Sequence, residues 1–212
     1  MTIQVMGKIK RCLFGLGRPI PESTWDRNYS AGEWDYLKEL DELARYSIIA
    51  GYFQFFKQGG SMLDVGCGEG ILPMKQGPHA YSSYVGIDTS ETAIERALKW
   101  KDHKTFYFKE DVMHYTPPEP FDAIIFNEIL YYCDDPLQVL KKYADYLTNN
   151  GIFIISMKVN KTNAIIWKRL SREYVILDET RIANKHKLSW VCKVLTLPEQ
   201  DSRIFNAEAL NE

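Results

Sequence analysis

Paired cysteines, a surplus of either charge and long apolar runs are all missing from this sequence, and each absence closes off a class of protein. The four cysteines, Cys12, Cys67, Cys133 and Cys192, stand far apart and form no C-x-x-C pair. That spacing argues against a structural zinc site or a disulfide framework and fits a reducing, cytoplasmic setting. Acidic and basic residues nearly balance, 28 against 26, for a net charge of −2. Proteins that live on nucleic-acid phosphates usually carry a basic excess, so no nucleic-acid partner is expected. No apolar run approaches the roughly 18 residues that a membrane span requires. The segment from Met1 to Ile20 mixes Lys8, Lys10, Arg11 and Arg18 with Ile9, Leu13, Phe14 and Leu16. Its apolar stretch is short and broken by glycines, which speaks against a signal peptide. Weak attachment to a membrane surface or a partner is one use for such a segment; a loosely ordered lead-in is the plainer one.

What is present suits one folded domain of 212 residues, 45% apolar and 25% charged. We divide it into a lead-in over 1–32, a core over 33–197 and a polar, fraying tail over 198–212. Ser30 reads as the cap of a long helix starting near Glu33, with Leu37, Leu40, Ala44, Ile48 and Tyr52 as its apolar stripe. Strands are expected at Ser61 to Val65, Tyr84 to Asp88, Thr105 to Phe108, Phe121 to Phe126 and Ile152 to Ser156. A Ser90-capped helix follows the second strand. Another helix spans Pro136 to Leu147, stopped by Asn149-Asn150-Gly151. A further helix covers Thr162 to Leu170, and Tyr174 to Ile182 pairs with Leu188 to Leu195 around Asn184 to Lys187. This alternation predicts an α/β fold: a mainly parallel sheet with an antiparallel edge hairpin and helices on both faces. Such sheets bind ligands beyond the carboxyl ends of their strands.

Those strand ends carry chemistry. After the first strand comes Asp64-Val65-Gly66-Cys67-Gly68-Glu69-Gly70. Its glycines allow a sharp turn and a close approach of backbone to ligand. Ile71 breaks the G-x-G-x-x-G pattern of dinucleotide folds, and the Gly-Lys-Ser/Thr ending of a phosphate loop is missing. The second strand ends in Asp88, where a carboxylate can accept both hydroxyl protons of a ribose. Asp111, past the third strand, can accept from an adenine amino group, with the Val112 N–H and side chain beside it. Each acid alone suits a cap or turn; three at successive strand ends suit a nucleoside site.

As a set, Met62 to Gly70, Val85 to Ser90 and Glu110-Asp111-Val112 closely resemble the first three motifs of class I S-adenosylmethionine-dependent methyltransferases. Phe121 to Glu128 and Gly151 to Ser156 look like the fourth- and fifth-strand motifs, so the resemblance covers Ser61 to Ser156. It implies the Rossmann-like seven-stranded fold of that class. It also implies S-adenosyl-L-methionine as cofactor, S-adenosyl-L-homocysteine as product, and an enzyme that transfers methyl groups. By resemblance, Asp64, Gly66, Cys67 and Gly68 lie against the methionine part, Asp88 with Thr89 holds the ribose, and Asp111 with Val112 frames the adenine. Tyr29 is placed to cover the cofactor and Arg45 to pair with its carboxylate, unless both merely pack or face solvent.

For the transfer itself, Asn127, counted with the cofactor-binding residues, ends the fourth strand beside the expected methyl position. Glu128 is a candidate base or ammonium binder, Tyr131 and Tyr132 a candidate aromatic wall, and His114 a candidate titratable group. Any of these aromatics can instead face the core, and His114 or His186 can simply be solvated. The Asn-Glu-Ile-Leu-Tyr-Tyr stretch is similar to that of nodulation-factor N-methyltransferases and points to a small-molecule acceptor, with a sugar, glycan or secondary metabolite as candidates, without choosing oxygen or nitrogen. Asn127-Glu128 stands where magnesium-dependent catechol-type enzymes place an Asp, so no metal is expected. Asp134-Asp135 reads as the cap of the Pro136 helix. Two other functions stay open: a nucleoside-binding scaffold that transfers nothing, and a tRNA or protein methylase. Short insertions predict an open site, and the sequence leaves the oligomeric state undetermined.

Overall fold

A computed structural model describes residues 20–77 and 80–199; the expectations for the basic N-terminal segment and for most of the tail lie outside these residues. The strands are β1 Ser61–Val65, β2 Ser83–Asp88, β3 Thr105–Lys109, β4 Phe121–Asn127, β5 Leu147–Lys158, β6 Val175–Ala183 and β7 Ser189–Thr196. The helices are α1 Glu22–Ser30, α2 Leu40–Lys57, α3 Ile71–Gln76, α4 Glu91–Ala97, α5 Pro136–Ala144 and α6 Lys161–Leu170. Among the described residues, one sheet in the order β3-β2-β1-β4-β5-β7-β6 holds the seven strands. β7 runs antiparallel to both β5 and β6, and the other pairings are parallel. Among the described residues no helix is long and apolar enough to cross a membrane.

Side chains alternate across the strands, so each central strand feeds two cores. Ala123, Ile125, Ile152 and Ile154 join Tyr46, Ile49 and Phe53 of α2 on one face. Ile124, Phe126, Phe153 and Ile155 join Val139, Leu140 and Tyr143 of α5 on the other. The winding order of the strands reverses between the parallel neighbours β1 and β4, so the crevice beyond Val65 and Asn127 is the topological switch point.

Three sequence expectations need correction. Ser30 does not cap a helix at Glu33: it ends α1, and a 3-10 turn, Asp35–Lys38, precedes α2 at Leu40. Gly32, at φ +69°, breaks the run. The stripe holds only in part: Leu37, Ile48 and Tyr52 pack at the edge of the core, but Leu40 is 76% exposed, and Glu42, Arg45, Tyr46, Ile49 and Phe53 take the inward face. A buried Glu–Arg pair on the inner face disguised it, since charged residues normally mark the solvent side. Third, α5 ends at Ala144, and Asn149-Asn150-Gly151 lies inside β5 instead of stopping a helix. There the register jumps from Phe121↔Leu147 to Ala123↔Ile152, a bulge that the turn-like residues allow. Asp135 does cap α5, its Oδ1 accepting from Leu137 N–H at 3.1 Å, and Ser90 caps α4 through Ala93 N–H at 3.2 Å.

Candidate active site

The glycine loop leaves β1 and immediately spends its own amides. Gly66 and Cys67 N–H both donate to the Ile87 carbonyl, at 2.8 and 2.9 Å. Gly68 N–H donates to Asp88 Oδ2 at 2.9 Å. With its amides directed into β2 the loop is no anion nest, which excludes a phosphate cradle and leaves a close, Cβ-free surface. A Cβ on Gly66, at φ +75°, would lie 2.3 Å from Ile129 Cδ1, and one on Gly68, at φ +54°, 2.7 Å from Tyr29 Oη. Tyr29, 7% exposed, therefore sits over the loop.

The loop opens into a cavity of about 790 Å³ lined by Asp64, Asp88, Thr89, Asp111, Val112, Asn127, Glu128 and Tyr132, among others. Asp88 gives each carboxylate oxygen one backbone donor, Gly68 N–H and Ser90 N–H, both at 2.9 Å. A carboxylate has about four lone-pair sites, so it retains capacity for two hydroxyls. Burial raises its carboxyl to about 6 against the pull of those backbone bonds. Asp64 is 2% exposed; Tyr84 Oη donates to its Oδ2 at 2.7 Å while Oδ1 has no hydrogen-bond partner, and burial raises this carboxyl to about 7. Asp111 Oδ1 accepts from Met113 N–H at 2.7 Å. The Val112 carbonyl is pinned by Tyr143 Oη at 3.0 Å and Lys142 Nζ at 3.2 Å. An orphaned buried carboxylate oxygen, a cradle that any Cβ would fill and an acid at the second strand end together fit an aminoacyl nucleoside such as S-adenosylmethionine.

Across the switch point lies a second group. Glu128 follows β4 at φ +65°, a left-handed conformation that costs a side-chain-bearing residue roughly 1–2 kcal/mol. Tyr131 Oη donates to its Oε2 at 3.0 Å, and Ser156 Oγ lies 3.3 Å from its Oε1. Burial lifts the Glu128 carboxyl to about 7, opposed by Arg45, Tyr131 and Ser156. Tyr132 packs tilted against Tyr131, ring centroids 4.5 Å apart, and meets Trp25 edge-on at 5.0 Å. Arg45 is not a solvated helix residue: at 2% exposure it donates to Glu42 Oε2 at 2.9 Å and to Asn127 Oδ1. His114 stays at the rim, 85% exposed and 3.0 Å from Asp111, and His186 lies 3.0 Å from Asp41 on the β6–β7 turn.

Sequence reasoning overlooked Glu42 and Glu69. Both are nearly buried, and Glu69 Oε1 accepts from Arg96 at 2.7 Å while Lys38 pairs with Oε2. Glu42 and Arg45 stand three residues apart, the spacing of a helical ion pair, which was the one available signal. Glu69 gave none, because its partners come from distant segments.

Comparison with known proteins agrees with this geometry. The sequence pattern of a methyltransferase domain matches residues 36–210. The ubiquinone biosynthesis O-methyltransferase of Neisseria meningitidis serogroup C is 23% identical over 163 residues, 74% of this chain and 66% of that protein. A malonyl-[acyl-carrier protein] O-methyltransferase of Ilyobacter polytropus is 30% identical over 179 residues, 76% of this chain and 65% of that one. The chain thus spans just under two thirds of the length of these two relatives. The N-methyltransferase NodS of Bradyrhizobium japonicum, solved with S-adenosyl-L-homocysteine, shares the fold with a TM-score of 0.65. It is 18% identical, over 79% of this chain and 92% of that one. With the matched pattern spanning most of its length and a Rossmann-like fold, the chain belongs to the methyltransferase-domain family, the S-adenosylmethionine-dependent class.

Proposed function

We propose that the protein transfers the methyl group of S-adenosylmethionine to a hydroxyl or amine of a small-molecule acceptor. The observation that carries this is Glu128: a strained, hydrogen-bonded carboxyl on the wall of the same cavity as the Gly66–Gly68 loop and Asp88. Relatives named for ubiquinone biosynthesis and for a malonyl group on a carrier protein support a small acceptor, or the small end of a carried one. The cytoplasmic setting belongs to the same proposal.

Bound S-adenosylmethionine supplies a methyl group already activated by its positive sulfur. The residues then have two tasks, alignment and deprotonation. Asp64, Gly66, Cys67 and Gly68 receive the methionine part, Asp88 and Thr89 the ribose, Asp111 and Val112 the adenine. Tyr29 closes over the loop, with Arg45 beside the strand ends. Tyr131 and Tyr132 wall the acceptor side. Glu128, with its carboxyl near 7, is substantially ionised at neutral pH and takes the proton that the acceptor must lose. His114, at the rim, is the alternative proton carrier.

Calorimetric titration with S-adenosylmethionine and S-adenosylhomocysteine tests the proposal, with Asp88→Ala as control. Ligand at 100 times its Kd should stabilise the fold by about 2.7 kcal/mol. Binding that Asp88→Ala abolishes while still melting cooperatively supports the assignment. Folded wild-type protein that binds neither ligand refutes it.

A further inference from the structure

Asn127 ends β4, Glu128 follows it, and both line the cavity. The Asn127 side-chain oxygen is held by two buried donors, Arg45 Nη1 and, at 2.8 Å, Ser156 Oγ. Arg45 is itself anchored by Glu42 at 2.9 Å, and Ser156 is fully buried. A planar amide carries its oxygen and its nitrogen on opposite arms. Turning the Asn127 amide over would set its N–H against the Arg45 N–H, a group that cannot accept, so Oδ1 stays inward and the Nδ2–H arm faces the cavity. Ser156 Oγ has one proton, and its shorter contact is to Asn127, 2.8 Å against 3.3 Å to Glu128. Glu128 Oε1 therefore keeps capacity to accept a proton from an acceptor.

We infer that Asn127 and Glu128 form a donor–acceptor pair that selects a hydroxyl acceptor, making this an O-methylating site held in place by Arg45 and Ser156. The inference rests on the methyl-transfer function proposed above. An alcohol or phenol oxygen has two lone pairs and one proton. One lone pair accepts from Asn127 Nδ2–H, the O–H points to Glu128, and the second lone pair forms the new bond to the methyl carbon. As that O–C bond forms, the C–S bond breaks and its electron pair stays on sulfur, leaving a neutral thioether. The hydroxyl proton ends on Glu128. A neutral amine has a single lone pair, and donating that pair to the Asn127 hydrogen bond leaves none for attack. A protonated amine has no lone pair at all.

The first test needs no cofactor. The Asn127 side-chain amide signals, assigned through Asn127→Asp, are followed by NMR while phenol and then aniline are added. Movement with phenol alone is expected; equal movement with both, or none with either, overturns the inference. Ser156→Ala, which removes one of the two donors on Oδ1, should weaken the phenol response. The second test supplies isotope-labelled S-adenosylmethionine and a low-molecular-weight metabolite extract to the purified protein, and reads the chemical shift of the transferred methyl. A methoxy product supports the inference, and an N-methyl product, or no product from protein that binds S-adenosylhomocysteine, overturns it. Asn127→Asp preserves the contact with Arg45 but removes the donor, so transfer should fall about 100-fold through misplacement of the nucleophile. Its affinity for S-adenosylhomocysteine should be unchanged. Failure of wild-type protein to bind that ligand refutes the proposed function itself and is read separately.

Discussion

Replacing Glu128 by glutamine and by glycine separates its ionisation from its backbone strain. The folded-state carboxyl sits near 7 against an ordinary value of 4.5, chiefly through burial. A carboxyl raised in this way binds its proton more tightly in the folded than in the unfolded chain. Its favourable contribution is complete below the unfolded value and is lost as pH climbs towards the folded one. From about pH 5 to pH 8 ionisation of this one group costs the folded state roughly 2–3 kcal/mol. Glutamine cannot ionise, so Glu128→Gln should lack that slope. Its Tm relative to wild type should rise by about 5–10 °C between the two pH values, for a chain of this size. Glu128→Gly shares the flattened slope and relieves about 1 kcal/mol of strain at the φ of +65°, offset at every pH by the lost bonds to Tyr131 and Ser156. Both variants should bind S-adenosylhomocysteine normally, yet lose about 10²–10⁴-fold in methyl transfer, along with the rise in rate through neutral pH. Thermal melts in matched buffers decide the matter. If all three proteins show the same pH slope, Glu128 ionises as an ordinary carboxylate and its assignment as the base falls.

Other perturbations test the cofactor side. Gly66→Ala places a Cβ 2.3 Å from Ile129 Cδ1 at φ +75°, and should destabilise by about 1–3 kcal/mol while weakening S-adenosylhomocysteine binding in calorimetry. Asp64→Asn removes a buried carboxyl raised to about 7, so its melting temperature should gain on wild type as pH rises from about 5 to 8. The same change converts the orphaned oxygen environment and should lower cofactor affinity. Glu69→Ala strips a nearly buried carboxylate from Lys38 and Arg96, and a loss of about 2 kcal/mol is expected in denaturant melts.

Local chemistry explains which parts of this protein could be read without coordinates. Alternating apolar strands, the G-x-G-x-G turn and acids at strand ends are short-range patterns, so β1 to β4, the switch-point crevice and the placement of Gly66, Gly68 and Asp88 follow directly from them. Caps are local too, and Ser90 and Asp135 act where the sequence put them. Burial of charge is different, because it depends on partners far along the chain. The sequence left open a solvated Arg45, and only the packing of α2, which sets it against Glu42 and against Asn127 82 residues away, removes that reading. Glu69 and Ser156 acquired their partners in the same way. The bulge in β5 belongs with them, since a register shift exists only between two paired strands. The sequence by itself determined the fold class and the sheet edge where the glycine loop and Asp88 meet, because both arise from interactions within a few residues. Tertiary structure alone decided how Asn127 is turned and how Glu128 ionises, because hydrogen-bond direction and desolvation are properties of neighbours that the chain brings together only on folding.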